Sequence, residues 1–300
     1  MWFLAKDRKI PITDLVFSDN LASYHSVLSF TSPAVIYADS GVIKTDFAEY
    51  EVAIESQTQL QNDVMKVDCI TRAVDDAFNS TTAGYTGRCT LDSLFAKLGY
   101  GYYSDCKSNN TYFSIPQCKV VSLFDNLTKF ASFANGGGAH FYMSMDGVVH
   151  GYDYKLIKDK GNAVIWYGSI LSRSIKTDWH SFTPSEYDIY TYNPDNSLKR
   201  ESFVIVEGFG RSVVNLCDTT GVWRECAKQE LTNSFYNKWY NGYTLTVSVA
   251  AGTIPTLGQL VDLNGDGRTF IVKAVSIAYN EIQEVPSITA VLISNPIFEA

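Results

Sequence analysis

Residues 234–249 read Ser-Phe-Tyr-Asn-Lys-Trp-Tyr-Asn-Gly-Tyr-Thr-Leu-Thr-Val-Ser-Val, and the spacing of their apolar side chains changes at Gly242. Before that glycine, apolar residues recur at every fourth position back to Trp223, as they do along one face of an α-helix. After it, apolar side chains alternate with hydroxyl side chains over 243–249, which is typical of a strand with one buried face. The stretch therefore predicts a helix over 220–241 that leads directly into a strand.

Capping residues mark two of the predicted helices. Thr219 or Thr220 is the expected N-cap of the helix over 220–241. A shorter helix is predicted over 91–98, because Thr90 can cap its first turn and Gly99 lies where a left-handed C-cap is expected.

A helix followed by a hairpin is predicted in the middle of the chain. The helix begins near Ser122, Asp125 three residues later resembles the second member of a capping box, and the glycines 136–138 are expected to end it. Two strands then fill 140–154. Asp146-Gly147 between them predicts a two-residue type I′ turn, because these residue types accept positive φ angles.

Strands make up most of the remaining predicted elements. They are expected over 24–30, 34–37, 42–45, 50–55, 163–167, 188–192, 202–207, 257–263, 269–279 and 287–294. The strand over 202–207 is nearly all apolar, so both of its faces are predicted to be buried.

The order of these elements predicts an α+β, β-rich fold in three regions. Residues 1–75 form a first strand-rich domain, 76–157 an α+β connector domain, and 158–300 a second strand-rich region with the inserted helix 220–241. A length of 300 residues favours more than one packed unit. No short-period repeat or flexible linker is evident, so the units are expected to pack against one another.

The composition argues against several classes of protein. Apolar residues make up 46% of the chain and charged residues only 19%, which excludes a disordered acidic protein despite the net charge of −8. With 24 Lys+Arg against 32 Asp+Glu, and no basic run longer than Lys199-Arg200, a conventional nucleic-acid binder is not expected. The aromatic content of 14% favours strands and interfaces.

The N-terminus and the cysteines bear on location. Met-Trp-Phe-Leu-Ala is followed at once by charged residues, so no secretion signal is predicted, and the longest apolar stretches are too short for a membrane helix. Six cysteines without a C-x-x-C pair are expected to be reduced thiols. A bridge between Cys106 and Cys118 stays an open alternative.

Candidate metal and phosphate sites fail on their own ligand rules. The run from Asp262 to Gly267 resembles the start of a calcium loop, but Lys273 stands where the bidentate Glu belongs, so a tight hairpin turn is predicted. The histidines at 25, 140, 150 and 180 have no ligand spacing. His140 and His150 could face each other across the hairpin, yet two histidines make an incomplete site. The glycines 136–138 follow a helix rather than precede one, which argues against a phosphate cradle.

Catalytic patterns are equally absent from the sequence. There is no G-x-S-x-G elbow, and Asp75-Asp76 would point to different sides of a helix. The aromatic residues Tyr100, Tyr102, Tyr103, Tyr112 and Phe113 could stack on sugars or bases, but without a basic groove a core or subunit interface is the preferred interpretation. We therefore predict no catalytic residue, no cofactor and no metal ligand, and a protein that is not an enzyme.

Two blocks of the sequence together resemble a known family. The first is the helix over 122–134 with its glycines and the hairpin 139–150. The second is the helix ending at Gly242, the strand 243–249, and the segments 255–263 and 269–279. This order is similar to that of the bacteriophage tail baseplate hub proteins, the late control protein D group. The resemblance is most specific over 118–157 and 230–280. One departure is Leu257-Gly258-Gln259, where the family commonly has a Pro-Gly pair.

The resemblance implies a homotrimer in which each chain contributes two small β-barrel domains, flanking the connector, to a ring of six barrels on a hexameric tail tube. The implied function is a structural virion protein of the tail baseplate, made in the host cytoplasm. The implied partners are the tail tube protein, the central spike or tip protein, and also the tape measure protein and other baseplate proteins. DNA would pass through the lumen without specific binding, and the acidic balance suits that passage. A tail-associated cell-wall or glycan-degrading enzyme and a glycan-binding module stay open as alternatives; the latter predicts that Tyr102, Tyr103 or Tyr112 lines an exposed groove.

Overall fold

The chain folds as an α+β, strand-rich protein, as its sequence predicts. The computed structural model describes residues 1–6, 8–46, 48–60, 63–178, 184–193, 195, 197–216, 222–250, 253–279 and 286–295. His180, Cys217, Thr219 and Thr220 lie outside the described residues.

Seven strands of the N-terminal region form one half of a large sheet. They are β1 (Trp2–Ala5), β2 (Arg8–Pro11), β3 (Thr13–Asn20), β4 (Val27–Ser32), β5 (Ser40–Lys44), β6 (Glu49–Gln59) and β7 (Met65–Thr71). Their hydrogen-bonded order is β2-β1-β5-β6-β7-β4-β3. The two ends of this order, β2 and β3, are consecutive in the chain and are separated only by the buried Ile12.

The connector region packs four helices around two small sheets. Its helices are α1 (Arg72–Asn79), α2 (Leu91–Leu98), α3 (Val120–Phe130) and α4 (Tyr154–Lys160). Its strands are β8 (Tyr85–Cys89), β9 (Tyr102–Tyr103), β10 (Thr111–Ile115), β11 (Ala139–Met143) and β12 (Val149–Asp153). The buried faces of α2, α3 and β11 share one apolar core, which explains the helical spacing of their leucine and phenylalanine residues.

Six strands of the C-terminal region form the other half of the large sheet. They are β13 (Val164–Trp166), β14 (Ser169–Thr177), β18 (Tyr243–Ala250), β19 (Leu260–Leu263), β20 (Thr269–Tyr279) and β21 (Ser287–Ser294). Their order is β13-β19-β20-β21-β18-β14. Here too the two ends, β13 and β14, are consecutive in the chain, with only Tyr167 and Gly168 between them.

An inserted unit lies between β14 and β18. It contains the strands β15 (Glu186–Tyr192), β16 (Leu198–Val204) and β17 (Arg211–Asn215), followed by helix α5 (Val222–Asn241). The strands form a separate sheet with β15 at its centre. Helix α5 contacts α3 and α4, and thereby links the insertion to the connector.

The two halves of the large sheet have the same strand arrangement. β2, β3, β4, β5, β6 and β7 correspond in pairing and chain order to β13, β14, β18, β19, β20 and β21, and β1 is an extra strand between β2 and β5. Even a bulge recurs, between Ile54 and Ser56 in β6 and between Val272 and Ala274 in β20. The halves join through antiparallel pairing of β3 with β20. The chain therefore contains one strand arrangement twice, which the sequence does not show as a repeat.

Several predicted elements are confirmed. The strands over 269–279 and 287–294 have the predicted bounds, and β18 buries its apolar residues and leaves its hydroxyl residues half-buried. Helix α2 is capped as predicted, since the Thr90 Oγ1 accepts a hydrogen bond from the Ser93 N–H and Gly99 has a φ of 84°.

The prediction for helix α3 was wrong at both ends. The helix begins at Val120 after Lys119, and no side chain caps it. Asp125 instead accepts a hydrogen bond of 2.6 Å from the Tyr24 hydroxyl. The helix ends at Phe130, well before the glycines, because the chain becomes extended at Ala131.

Three strand predictions were also wrong. In the hairpin turn Gly147 has a positive φ of 80° but Asp146 does not, and Met143 pairs with Val149, so the turn is longer than a two-residue type I′ turn. Residues 34–37 form no strand. The apolar run predicted to be buried belongs to β16 only up to Val204, which is 45% exposed because β16 is an edge strand of the small inserted sheet.

Candidate assembly interface

His25, His140 and His150, the histidines that the structure describes, belong to no metal-binding group. In the hairpin His140 pairs with Tyr152, and His150 pairs with Tyr142, so the prediction that the two histidines face each other was wrong by two residues of register. Burial, and secondarily the charge of Lys273, lowers the pKa of His140 to about 4. Among the described residues, no group of three or more His, Cys, Asp or Glu side chains is placed to hold a metal ion.

The carboxylates of the calcium-like run stabilise a turn, as predicted. The run connects β19 to β20 as an antiparallel hairpin. The Asp262 carboxylate accepts the Gly267 N–H at 3.1 Å, and the Asp266 carboxylate accepts the Arg268 N–H at 2.9 Å. These oxygens satisfy the backbone of the turn itself.

The glycines 136–138 have a packing role that the sequence did not reveal. A Cβ on Gly137 would lie 2.1 Å from the Tyr236 ring, and a Cβ on Gly136 would lie 2.4 Å from a carboxylate oxygen of Asp153. The Asp153 carboxylate accepts the Gly137 N–H at 2.9 Å and also caps α4 through the Leu156 N–H. The glycines therefore let the chain pass closely between α4 and α5.

The predicted aromatic cluster is divided between core and surface. Tyr102 stacks on Phe95 with ring centroids 4.7 Å apart, and Phe113 is buried in the connector core. Tyr103 is exposed and lines a cleft of about 440 Å³ together with His150 and Lys160. Tyr112 lies at a different, smaller cleft. These residues therefore form no single stacking surface.

Cys69, Cys89, Cys106 and Cys118 are free thiols, so the alternative of a Cys106–Cys118 bridge is not realised. Burial raises the pKa of Cys69 to about 12. A thiol in that environment is a poor nucleophile at neutral pH.

Strand β14 forms a long, exposed edge of the large sheet. It runs for nine residues at the end of the sheet order, and eight of the nine are exposed. Ile170, Leu171 and Ile175 are 42%, 62% and 51% exposed. A long edge strand with exposed apolar side chains is a site for pairing with another strand.

The apolar side chains of β14 extend the core face of the sheet. Ile175 lies opposite Leu245, and Ile170 lies opposite Val249, across the β14–β18 pair. Both partners on β18 are buried in the C-terminal core. Because directly opposite residues share a face, β14 continues this apolar face into solvent. The sequence reasoning missed β14, although Ser172, Ser174 and Lys176 alternate there with Arg173 and Ile175.

The other face of the sheet carries a row of hydroxyl side chains. Five residues on adjacent strands lie opposite one another in turn and so form a line across both halves of the sheet: Ser172, Ser248, Thr289, Ser276 and Ser18. The hydroxyl oxygens of Ser18 and Ser276 lie 2.9 Å apart, as do those of Ser248 and Thr289. The row contains no charged side chain.

One part of β6 is a second open edge. The 49–53 part of β6 pairs with β5, and the other side of the strand pairs with β7. Over 54–59 no strand of the described chain pairs with the edge that faces away from β7. In the other half of the sheet, the corresponding part of β20 is the part that pairs with β3.

No family model matches the chain, and no curated protein matches it. Solved structures of other proteins, however, do match the chain. The tail protein from Neisseria meningitidis MC58 matches with a TM-score of 0.62 at 13% identity, over 98% of this chain and 95% of that one. The 43 kDa tail protein of prophage MuSo2 from Shewanella oneidensis matches with a TM-score of 0.60 at 8% identity, over 98% of both chains.

A third match is prophage tail protein gp18 from Listeria monocytogenes EGD-e, with a TM-score of 0.56 at 11% identity, over 95% of this chain and 89% of that one. The three matches cover nearly the whole chain, so they concern the complete architecture. At the level of fold they confirm the likeness to phage tail proteins that the sequence indicated.

Proposed function

We propose that the chain is a structural, non-enzymatic component of a phage-type tail, located in the virion baseplate. The observation that carries the proposal is the match of the whole architecture to three solved tail proteins at TM-scores of 0.56 to 0.62. No helix in the described part of the chain is both long and apolar enough to cross a membrane.

In its finer form, the proposed function is that of a homotrimeric hub joining the hexameric tail tube to the central spike or tip. The doubled strand arrangement supports this form, because three chains would present six similar units to six tube subunits. The two end strands of each order are consecutive in the chain, which is compatible with closure of each half into a small barrel. The proposed division is a barrel domain over 1–75, the connector over 76–157, and a barrel region over 158–300 with its insertion.

The proposed partners are further copies of the chain, the tail tube protein, the spike or tip protein, the tape measure protein and other baseplate proteins. Mass measurement at high concentration tests the ring, with three times the mass of one chain as the expected result. Three-fold particles should appear by negative-stain electron microscopy. A protein that stays monomeric at the highest soluble concentration would contradict the trimer. Antibody labelling of virions anywhere but at the tail end would contradict the location.

DNA passage is the other part of the proposal. The hydroxyl row places small, uncharged side chains across five strands of the sheet, and the net charge of −8 opposes phosphate binding. Lining the passage with this face would let DNA slide without being held.

Lysine substitution tests this passage. Ser276→Lys with Thr289→Lys should create salt-sensitive DNA binding in the assembled protein, whereas the natural chain should not bind DNA at physiological salt. Ser93→Lys with Ser122→Lys, on exposed turns of α2 and α3, is the matched control. Equal DNA binding by both double variants would contradict the assignment of the hydroxyl face.

An enzymatic role has a direct test. Zymography of the purified protein on bacterial cell walls should show no clearing. Cleavage that disappears on mutation of a single carboxylate would overturn the structural role.

A further inference from the structure

We infer that β14 of one copy pairs antiparallel with the 56–59 part of β6 of a second copy, and that this strand pair is the contact between subunits. The inference rests on the proposed function because it requires several copies of the chain to form a ring. It goes further by naming the strands that meet between copies and the residues that lie opposite each other.

The doubled strand arrangement supplies the argument. Within one chain the two halves of the sheet are joined by β3 of the first half and β20 of the second. The counterpart of β3 in the second half is β14, and the counterpart of β20 in the first half is β6. Repetition of the same junction between copies would therefore bring β14 against β6. Both counterparts have an edge that pairs with no strand of the described chain.

The correspondence can be followed residue by residue from β6 to β20. The bulge in each strand aligns Ile54 with Val272. The Ile54 N–H donates to the Asp39 carbonyl at 2.9 Å, and the Val272 N–H donates to the Gln259 carbonyl at 2.9 Å. The same backbone bond thus recurs just before the part of β20 that pairs with β3. Counting onward from the bulge aligns Thr58 with Ser276.

Strands β3 and β14 can be aligned in the same way, through the residues that lie opposite them. Phe17 lies opposite Leu28 in the first half, and Ile175 lies opposite Leu245 in the second. Leu28 lies opposite Cys69 on β7, and Leu245 lies opposite Leu292 on β21. Cys69 and Leu292 correspond because they lie opposite the two bulge residues Ile54 and Val272. Phe17 therefore corresponds to Ile175, and Ser18 corresponds to Lys176.

These alignments fix the register between copies. Ser18 lies opposite Ser276 in the junction within the chain, so Lys176 should lie opposite Thr58 of the neighbouring copy. Ile175 should then take the place of Phe17, whose ring packs edge-on against Tyr279 at a centroid distance of 5.8 Å. An exposed isoleucine would thus gain a partner surface.

Charge favours this pairing over pairing of β14 with itself. β14 contains Arg173 and Lys176 and no carboxylate, and the 56–59 part of β6 is the uncharged run Ser-Gln-Thr-Gln. Two β14 strands side by side would bring four cations together. Pairing of β14 with the 56–59 part of β6 avoids this contact between like charges, and like-charge contacts exclude wrong partners. The contact is head-to-tail, so repeated copies can form a ring.

Disulfide trapping tests the register. A chain with Thr58→Cys and Lys176→Cys should form inter-chain disulfides on mild oxidation, because the corresponding Ser18 and Ser276 oxygens lie 2.9 Å apart. Non-reducing gels should show covalent dimers and trimers. Ser18→Cys with Ser276→Cys is the matched positive control, and it should give a disulfide within one chain. Leu60→Cys with Lys176→Cys, displaced by two residues, should give far less product. The natural chain and each single variant set the background from the native cysteines.

Each outcome separates the inference from the proposed function. A protein that is trimeric by mass but forms no disulfide between positions 58 and 176 would overturn the β14–β6 register and leave the hub proposal standing. Equal trapping by the displaced pair would overturn the register as well. A monomer without inter-chain disulfide would count against both. Covalent trimers from the 58/176 pair alone support the inference.

Discussion

Asn233 on α5 connects the insertion to the connector through several hydrogen bonds. Its side chain is fully buried. Its Nδ2 donates to the carbonyl oxygens of Thr128, Lys129 and Ala131 at 3.1, 3.0 and 2.9 Å, at the C-terminal end of α3. Its Oδ1 accepts the Gly138 N–H at 3.2 Å. One side chain of α5 therefore satisfies the orphan carbonyls of another helix.

The cost of removing this side chain follows from the groups it leaves behind. In Asn233→Ala, at least the Ala131 carbonyl and the Gly138 N–H become buried groups without that partner, at about 1–3 kcal/mol each. The expected loss in the free energy of unfolding is about 2–6 kcal/mol, and the melting temperature should fall by about 5–15 °C. Asn233→Asp should lose at least as much, because a carboxylate oxygen would face three carbonyl oxygens.

Thermal and urea unfolding measure this loss. Hydrogen exchange at the Gly138 amide should also accelerate in Asn233→Ala, because that N–H loses its acceptor. Lys238→Ala, at an exposed position of the same helix, is the matched control and should change stability by less than about 0.5 kcal/mol. If Asn233→Ala unfolds like Lys238→Ala, the reasoning that these bonds hold α5 to α3 is refuted.

Three further predictions address packing, pH and assembly. Gly137→Ala should cost about 1–3 kcal/mol because its Cβ would collide with the Tyr236 ring, and Tyr236→Ala in the same chain should recover part of that loss in urea unfolding. The pKa of His140 is about 4 in the folded protein, below its unfolded value of about 6.5, so the stability that the neutral imidazole contributes is present above pH 6.5 and is lost as the pH falls towards 4. The free energy of unfolding should therefore be roughly 3 kcal/mol lower at pH 4 than at pH 6.5 on account of this residue, and His140→Phe should remove that difference. Thr58→Lys should weaken self-association about threefold because it places a second cation opposite Lys176, and 0.5 M salt should restore part of the association. Sedimentation profiles that match those of the natural chain would contradict the proposed register.

The sequence predicted secondary structure best where one face of a helix or strand is buried and the other is in contact with solvent. β18 shows this, because Leu245 and Val247 enter the core while Thr244 and Thr246 lie on the half-buried face. Local capping was equally readable for α2, since Thr90 and Gly99 act within their own turn. Such signals are complete within a few residues, so no tertiary information is needed to interpret them.

Prediction from the sequence was wrong where the role of a residue is set by a contact with a residue that is distant in the chain. The glycines 136–138 predict a helix stop from their local pattern, but the close packing of Tyr236 and Asp153 is what requires them. Asp125 fits a local capping box in sequence, but its hydrogen-bond partner is the Tyr24 hydroxyl, 101 residues away in the chain. No local pattern distinguishes these cases, because the determining contact belongs to the tertiary fold.

β14 was missed for a different physical reason, which also bears on what the strand does. Its counterpart β3 has β20 along its outer edge, and there Phe17 is half-buried and packs against Tyr279. β14 has no such neighbour within the described chain, and Ile175 is 51% exposed. The same position in the same strand arrangement is thus covered in one half and open in the other. Burying Ile175 would contribute about 1–2 kcal/mol. The core of a single chain does not explain why an isoleucine is exposed at this position, whereas a neighbouring β6 would cover it.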